Sequence, residues 1–204
     1  MIYLASMPQK YDTGGEIMNT PNKLTLLRVL LIPVFMICYL CLGTVGIYLA
    51  IITFLLATWT DHLDGKLARK NNQVTTFGKL MDPLADKMLI MAALLCFIEK
   101  EVAYINAGVV MMILARELIV TGVRMLAMGE NQVIAASMWG KSKTVSQFIL
   151  VVAVMVFEIL GGYFPMLSGI LNGIILLLTV VAVALTIYSG YDYVWKNRKL
   201  ITFR

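Results

Sequence analysis

The sequence predicts an all-α integral membrane protein of six transmembrane helices with a short N-terminal interfacial segment. Three observations predict it. Of 204 residues, 60% are hydrophobic and only 14% are charged, whereas a soluble domain carries about a quarter charged. Apolar stretches near the ~20 residues that cross a bilayer recur six times. With six spans both termini share one side, and 16 of the 17 basic residues lie on that side or open toward it. The positive-inside rule makes that face cytoplasmic.

In chain order, residues 1–18 are polar and unpatterned and read as a leader outside the folded domain, disordered or not native to the chain. Residues 18–23, with Lys23, could lie at the membrane interface. A single membrane domain is expected over 19–196, followed by a basic cytoplasmic tail, 197–204. The apolar stretches are roughly 24–44, 45–60, 83–99, 103–128, 144–161 and 167–193. The second helix is expected to run on through Asp61-His62-Leu63-Asp64-Gly65 to a turn at 71–73. The third should begin near Phe77, with Pro83 in a place compatible with a first turn. The turns near 43–46, 99–103 and 161–166 are short and almost uncharged, so no domain is expected on the far side; Lys100 is the one basic residue there. Tyr188, Tyr191, Tyr193 and Trp195 read as an interfacial aromatic belt with Lys196, Arg198 and Lys199 beyond it. Cys38, Cys41 and Cys96 lie in apolar stretches and read as small packing residues.

The chemistry concentrates in one segment. Asp61 and Asp64 are spaced i, i+3, and Asp82 and Asp86 i, i+4, so each pair shares a helix face. Lipid cannot solvate carboxylates, so acids beside apolar spans signal function. Two acidic faces brought together suit hard divalent cations, which take oxygen ligands. Gly65, Ala68 and Gly78 would let backbones approach closely. Arg69 offers a planar fork suited to phosphate. The bland alternative is an ion-pair network with Lys66, Arg69, Lys79 and Lys87, which does not account for the glycines at this spacing. His62, the only histidine, reads as structural.

A second group sits on the fourth helix. If that helix ends near Met128, Arg116 lies about 18 Å below its end, a depth that demands a partner or a water-filled cavity. Arg116 and Arg124 are about 80° apart around the helix and could line one cavity, which Lys141 and Lys143 at the start of the fifth helix could close. Such a cluster suits a phosphate. The alternatives are a salt bridge from Arg116 to Glu117 or Asp82, which could hold together with the lining, and topogenic roles for Lys141 and Lys143.

The eight residues Asp61, Asp64, Gly65, Ala68, Arg69, Gly78, Asp82 and Asp86, in D-x2-D-G-x2-A-R-x8-G-x3-D-x3-D, resemble the signature of the CDP-alcohol phosphotransferase family at every position. The resemblance implies six membrane helices, a homodimer and two divalent metal ions, Mg2+ or Mn2+. It implies Asp61, Asp64, Asp82 and Asp86 as metal ligands, with Asp86 also the catalytic general base. It places Asp64, Gly65, Ala68, Arg69 and Gly78 around the CDP-lipid. Asn19 to Arg28, Ala115-Arg116-Glu117, Arg124, Gly140 to Thr144 and Ser189 to Tyr193 are similar to the bacterial phosphatidylglycerophosphate synthase branch. That branch implies CDP-diacylglycerol and sn-glycerol 3-phosphate as substrates in the bacterial cytoplasmic membrane. It further implies Arg116, Arg124 and Lys141 as ligands of the acceptor's phosphate, and Asn22, Thr25 and Arg28 near the site entrance, with Asn22 and Thr25 near the nucleotide. From their type alone, Asn22 and Thr25 could equally cap the first helix, and Arg28 could snorkel.

Two other acceptors stay open within the family, serine and an inositol phosphate. Serine would not need three cations converging. Nothing suggests a nucleic-acid partner. From another class, a divalent-metal transporter should hold acids near mid-membrane, often in two repeats; these acids form one motif at one face.

Overall fold

The structure is a computed structural model that describes residues 20–71, 76–129 and 137–198. Side chains are described from Leu26 onward, except those of 61–83, 86, 126, 128 and 129. The described chain is all-helical. Six long helices follow one another: α1 (Thr20–Cys41), α2 (Gly43–Asn71), α3 (Thr76–Glu99), α4 (Ala107–Gly129), α5 (Met138–Tyr163) and α6 (Ser168–Lys196). A single 3-10 turn, Pro165–Leu167, joins α5 to α6. Among the described residues, three segments are long and apolar enough to cross a membrane: Gly43–Thr60, Met138–Tyr163 and Pro165–Lys196. Leu26–Cys41 is a shorter apolar helix.

Local chemistry sets the helix ends. Residues 20–23 belong to α1 itself, with Pro21 in the first turn, where a missing N–H costs nothing. Gly43 takes φ +59°, a conformation open to glycine, so α1 reverses into α2 almost at once. A Cβ on Gly46 would collide with the Cys38 carbonyl and the Leu42 side chain, so the two helices leave the turn in close contact. The fourth helix starts at Ala107, later than its apolar stretch suggests, because the Asn106 side-chain oxygen accepts the Val109 N–H at 3.1 Å and caps it. Ser137 caps α5 in the same way, accepting from Gly140 at 3.1 Å. Pro83 is the eighth residue of α3, inside the helix and not in its first turn.

The most extensive packing is α1 on α2, followed by α5 on α6, α1 on α3 and α4 on α6. Aromatic rings tie these layers together. Phe35 stacks on Tyr39 and meets Phe54 at 5.9 Å, Tyr39 meets the edge of Phe97 at 5.4 Å, and Phe54 stacks on Phe148 at 5.7 Å. Such pairs add about 0.5–1.5 kcal/mol each beyond burial. Lipid is as apolar as leucine, so close packing of this kind, rather than hydrophobicity, holds membrane helices together. Cys38 and Cys96 are buried there and all three cysteines are free.

The turns after α1, α3 and α5 lie at one end. Tyr48 donates to Tyr163 at 3.4 Å, and a small cavity there is lined by Lys100, Val102, Gly161 and Ser168. Just inside this end, Glu158 accepts a 2.5 Å hydrogen bond from Tyr39. The cationic cavity described next lies at the other end.

Candidate active site

The signature is carried by two consecutive helices. Asp61, Asp64, Gly65, Ala68 and Arg69 fall on the last three turns of α2, and Gly78, Asp82 and Asp86 on the first three turns of α3. Asn71 and Thr76 are five residues apart, at most about 18 Å of extended chain, so the two acidic segments adjoin the same link. The side chains of these eight residues, and those of His62, Asn22 and Thr25, lie outside the described residues. By residue type, four carboxylates on two consecutive helix ends would suit hard divalent cations.

The described part of the site is a cavity of about 440 Å³ between α3, α4, α5 and α6. Arg116, Arg124 and Lys141 all line it, together with Lys87, Lys143 and Glu117. Among the described residues, five cations thus face one carboxylate. Glu117 is buried in α4 and is the hub. It accepts from Arg116 Nη1 at 3.1 Å and from Lys143, and it lies 4.0 Å from Lys87 of α3. Lys87 also donates to Thr121. Because Lys87 follows Asp86 directly, Glu117 links the helix of the second acidic pair to the cationic cavity. The Nε atoms of Arg116 and Arg124 are buried with no hydrogen-bond partner among the described residues. Buried donors are normally satisfied; the cations that line the cavity suit an anion such as a phosphate.

The structure decides among these alternatives and corrects one expectation. Lys143 is no topogenic charge at the surface: it is buried and paired to Glu117. The Arg116–Glu117 contact exists and leaves Arg116 on the cavity wall, so pairing and lining hold together as the sequence allowed. Arg28 does not snorkel; it is fully buried in α1. Tyr193 does not belong to the aromatic belt. Tyr188, Tyr191 and Trp195 are exposed, whereas Tyr193 is 3% exposed and lies beneath Arg124, its ring centre 6.0 Å from the guanidinium carbon. Helical periodicity explains the split, since Thr186, Ser189 and Tyr193 share the inward face. That i, i+3, i+7 pattern of polar residues was the signal for Tyr193. For Glu117 and Lys87 the sequence holds no comparable signal, because their meeting depends on how α3, α4 and α5 pack.

The family model described as CDP-alcohol phosphatidyltransferase matches residues 18–188. A Bacillus subtilis protein named CDP-diacylglycerol–glycerol-3-phosphate 3-phosphatidyltransferase is 41% identical over 195 residues, covering 88% of this chain and 95% of its own. Proteins of the same name from Haemophilus influenzae and Rickettsia felis are each 34% identical, over 177 and 175 residues. Each of these two alignments covers 86% of this chain, and 91% and 93% of the respective relatives.

Proposed function

The chain belongs to the CDP-alcohol phosphatidyltransferase family, and from that membership we propose that it transfers a phosphatidyl group from CDP-diacylglycerol to sn-glycerol 3-phosphate, giving phosphatidylglycerol phosphate and CMP. The observation that carries the choice of acceptor is the cavity in which, among the described residues, five cations face one carboxylate. A phosphorylated alcohol needs such a wall; serine does not. The names of the relatives point the same way.

In this reading Asp61, Asp64, Asp82 and Asp86 hold two divalent cations, Mg2+ or Mn2+. When bound, those ions supply charge neutralisation at the diphosphate of the CDP-lipid. Asp64, Gly65, Ala68, Arg69 and Gly78 cradle the nucleotide portion, with Asn22 and Thr25 at its edge. Arg116, Arg124 and Lys141 grip the acceptor's phosphate, and their fixed geometry turns its free hydroxyl toward phosphorus. Asp86 takes the proton from that hydroxyl as it attacks in line. The location of Lys87, beside Asp86 and within reach of Glu117, supports placing the base next to the acceptor cavity.

The wider reading is of one membrane domain over 19–196, crossing the bacterial cytoplasmic membrane six times. Its termini and active site face the cytoplasm, it forms a homodimer, and 1–18 and 197–204 lie outside the domain.

The test is CMP release by the purified protein from CDP-diacylglycerol with Mg2+, offering glycerol 3-phosphate, inositol 1-phosphate or serine separately. Release with glycerol 3-phosphate alone is expected, and Asp86→Asn should abolish it while CDP-diacylglycerol still binds. Release with a different acceptor would overturn the acceptor assignment. Metal uptake into proteoliposomes without CMP release would replace the enzyme with a transporter.

A further inference from the structure

Arg116 leaves α4 and threads a slot between two other helices, and glycines stand at both walls. A Cβ added to Gly190 of α6 would lie 2.9 Å from Arg116 Cγ and 3.8 Å from its Cβ. A Cβ on Gly140 of α5 would lie 3.7 Å from Arg116 Nη2. The second is an ordinary contact; the first is closer than packed carbons come. Cγ belongs to the root of the side chain, so it cannot retreat without a change of χ1 that carries the guanidinium away. Glu117, holding Nη1 at 3.1 Å, fixes the far end of the same side chain.

Three residues beyond Gly190, on the same face of α6, Tyr193 is buried under Arg124. The face itself is anchored. Gln147 of α5 donates to Thr186 at 3.0 Å, and Ser189 bonds back to the Thr186 carbonyl at 3.1 Å. One rigid strip of α6 therefore touches both arginines of the cavity.

We propose that Gly190 and Tyr193 are positioning residues for the acceptor's phosphate: Gly190 keeps the slot open for the Arg116 stem, and the Tyr193 ring seats the Arg124 guanidinium. The inference rests on the cavity taking that phosphate. Gly190 stands outside the cavity lining, while the Tyr193 ring forms part of the wall beneath Arg124. Each acts through an arginine, and their spacing makes α6 the template that sets the distance between the two forks.

Steady-state kinetics of the full-length protein test this. Gly190→Ala should raise KM for glycerol 3-phosphate about tenfold or more, the scale of a lost charge-assisted contact, and leave KM for CDP-diacylglycerol within about twofold. Tyr193→Leu should raise the same KM roughly 3- to 30-fold, and Tyr193→Phe, which keeps the ring, should restore it. In an Arg116→Ala background, Gly190→Ala should add nothing further. Unchanged KM in folded Gly190→Ala and Tyr193→Leu, equal rises for both substrates, or additive effects with Arg116→Ala would each overturn the proposal. If Gly190→Ala does not fold, the Tyr193 pair carries the decision. Thermal stabilisation by inorganic phosphate gives a readout without turnover. The wild type should be stabilised and the Gly190→Ala and Tyr193→Leu variants less so; equal stabilisation would overturn the positioning role. Absence of CMP release from the wild type with any acceptor would instead sink the enzymatic reading, while the phosphate shift would still decide the slot.

Discussion

Among the described residues, Glu117 is the single anion beside five cavity cations, and its removal has a defined consequence. Lys143 is buried and pairs with Glu117. Taking one member from a buried ion pair costs about 3–5 kcal/mol, because the other charge stays behind unsolvated. Glu117→Ala should therefore lower the thermal midpoint of the detergent-purified protein markedly. Lys143→Met in the same background should recover part of the loss, since it removes the stranded charge. No recovery in the double variant would mean that Glu117 acts mainly through Arg116 and Lys87. In the sequence, Glu117 was visible only as one conceivable partner for Arg116, because a carboxylate's neighbours across helices leave no trace in spacing.

At the scale of elements, close approach of α1 and α2 depends on Gly46, where a Cβ would meet backbone that cannot move. Gly46→Ala should cost about 1–3 kcal/mol, the range for overpacking a tight contact. Gly173→Ala on α6, with open space around its Cβ, should be neutral or slightly stabilising, since alanine is the better helix former. Thermal midpoints of the two variants check the contrast; equal loss at both sites would remove the packing argument. Helix existence was legible from apolar length, and the ends of α1, α2 and α3 fell near their expected places. The start of α4 was not, because the apolar run around 102–106 hides a turn that only the Asn106 cap reveals. Nor was the inward register of Tyr193, because aromatic residues at a helix end satisfy a belt and a buried face equally well.

For the whole molecule, the alternation of helices places the turns after α1, α3 and α5 at one end and the cationic cavity at the other. In a chain freed of its native cysteines, Met166→Cys, at a position 98% exposed, should react with a membrane-impermeant thiol reagent from outside intact cells. A cysteine in place of Arg198 should react only after the cells are opened. Labelling of both from outside would contradict the six-span topology. Removing divalent cations with EDTA should abolish CMP release, and Mg2+ should restore it; activity that survives chelation would dismiss the oxygen donor set as a metal site.

The sequence by itself determined the membrane character, the number and order of the long helices, and the grouping of four aspartates, two glycines and an arginine on two consecutive helices. Those features depend on composition and on spacing along one chain, where the helical repeat converts sequence distance directly into geometry. The sequence also suggested one cavity for Arg116, Arg124, Lys141 and Lys143; only the tertiary structure decided that Lys87 joins them, that Glu117 gathers three of these cations, and that Gly190 and Tyr193 stand behind the two arginines. Those meetings join residues from four helices, and their geometry comes from how helices pack against one another, which no periodicity within a single helix encodes.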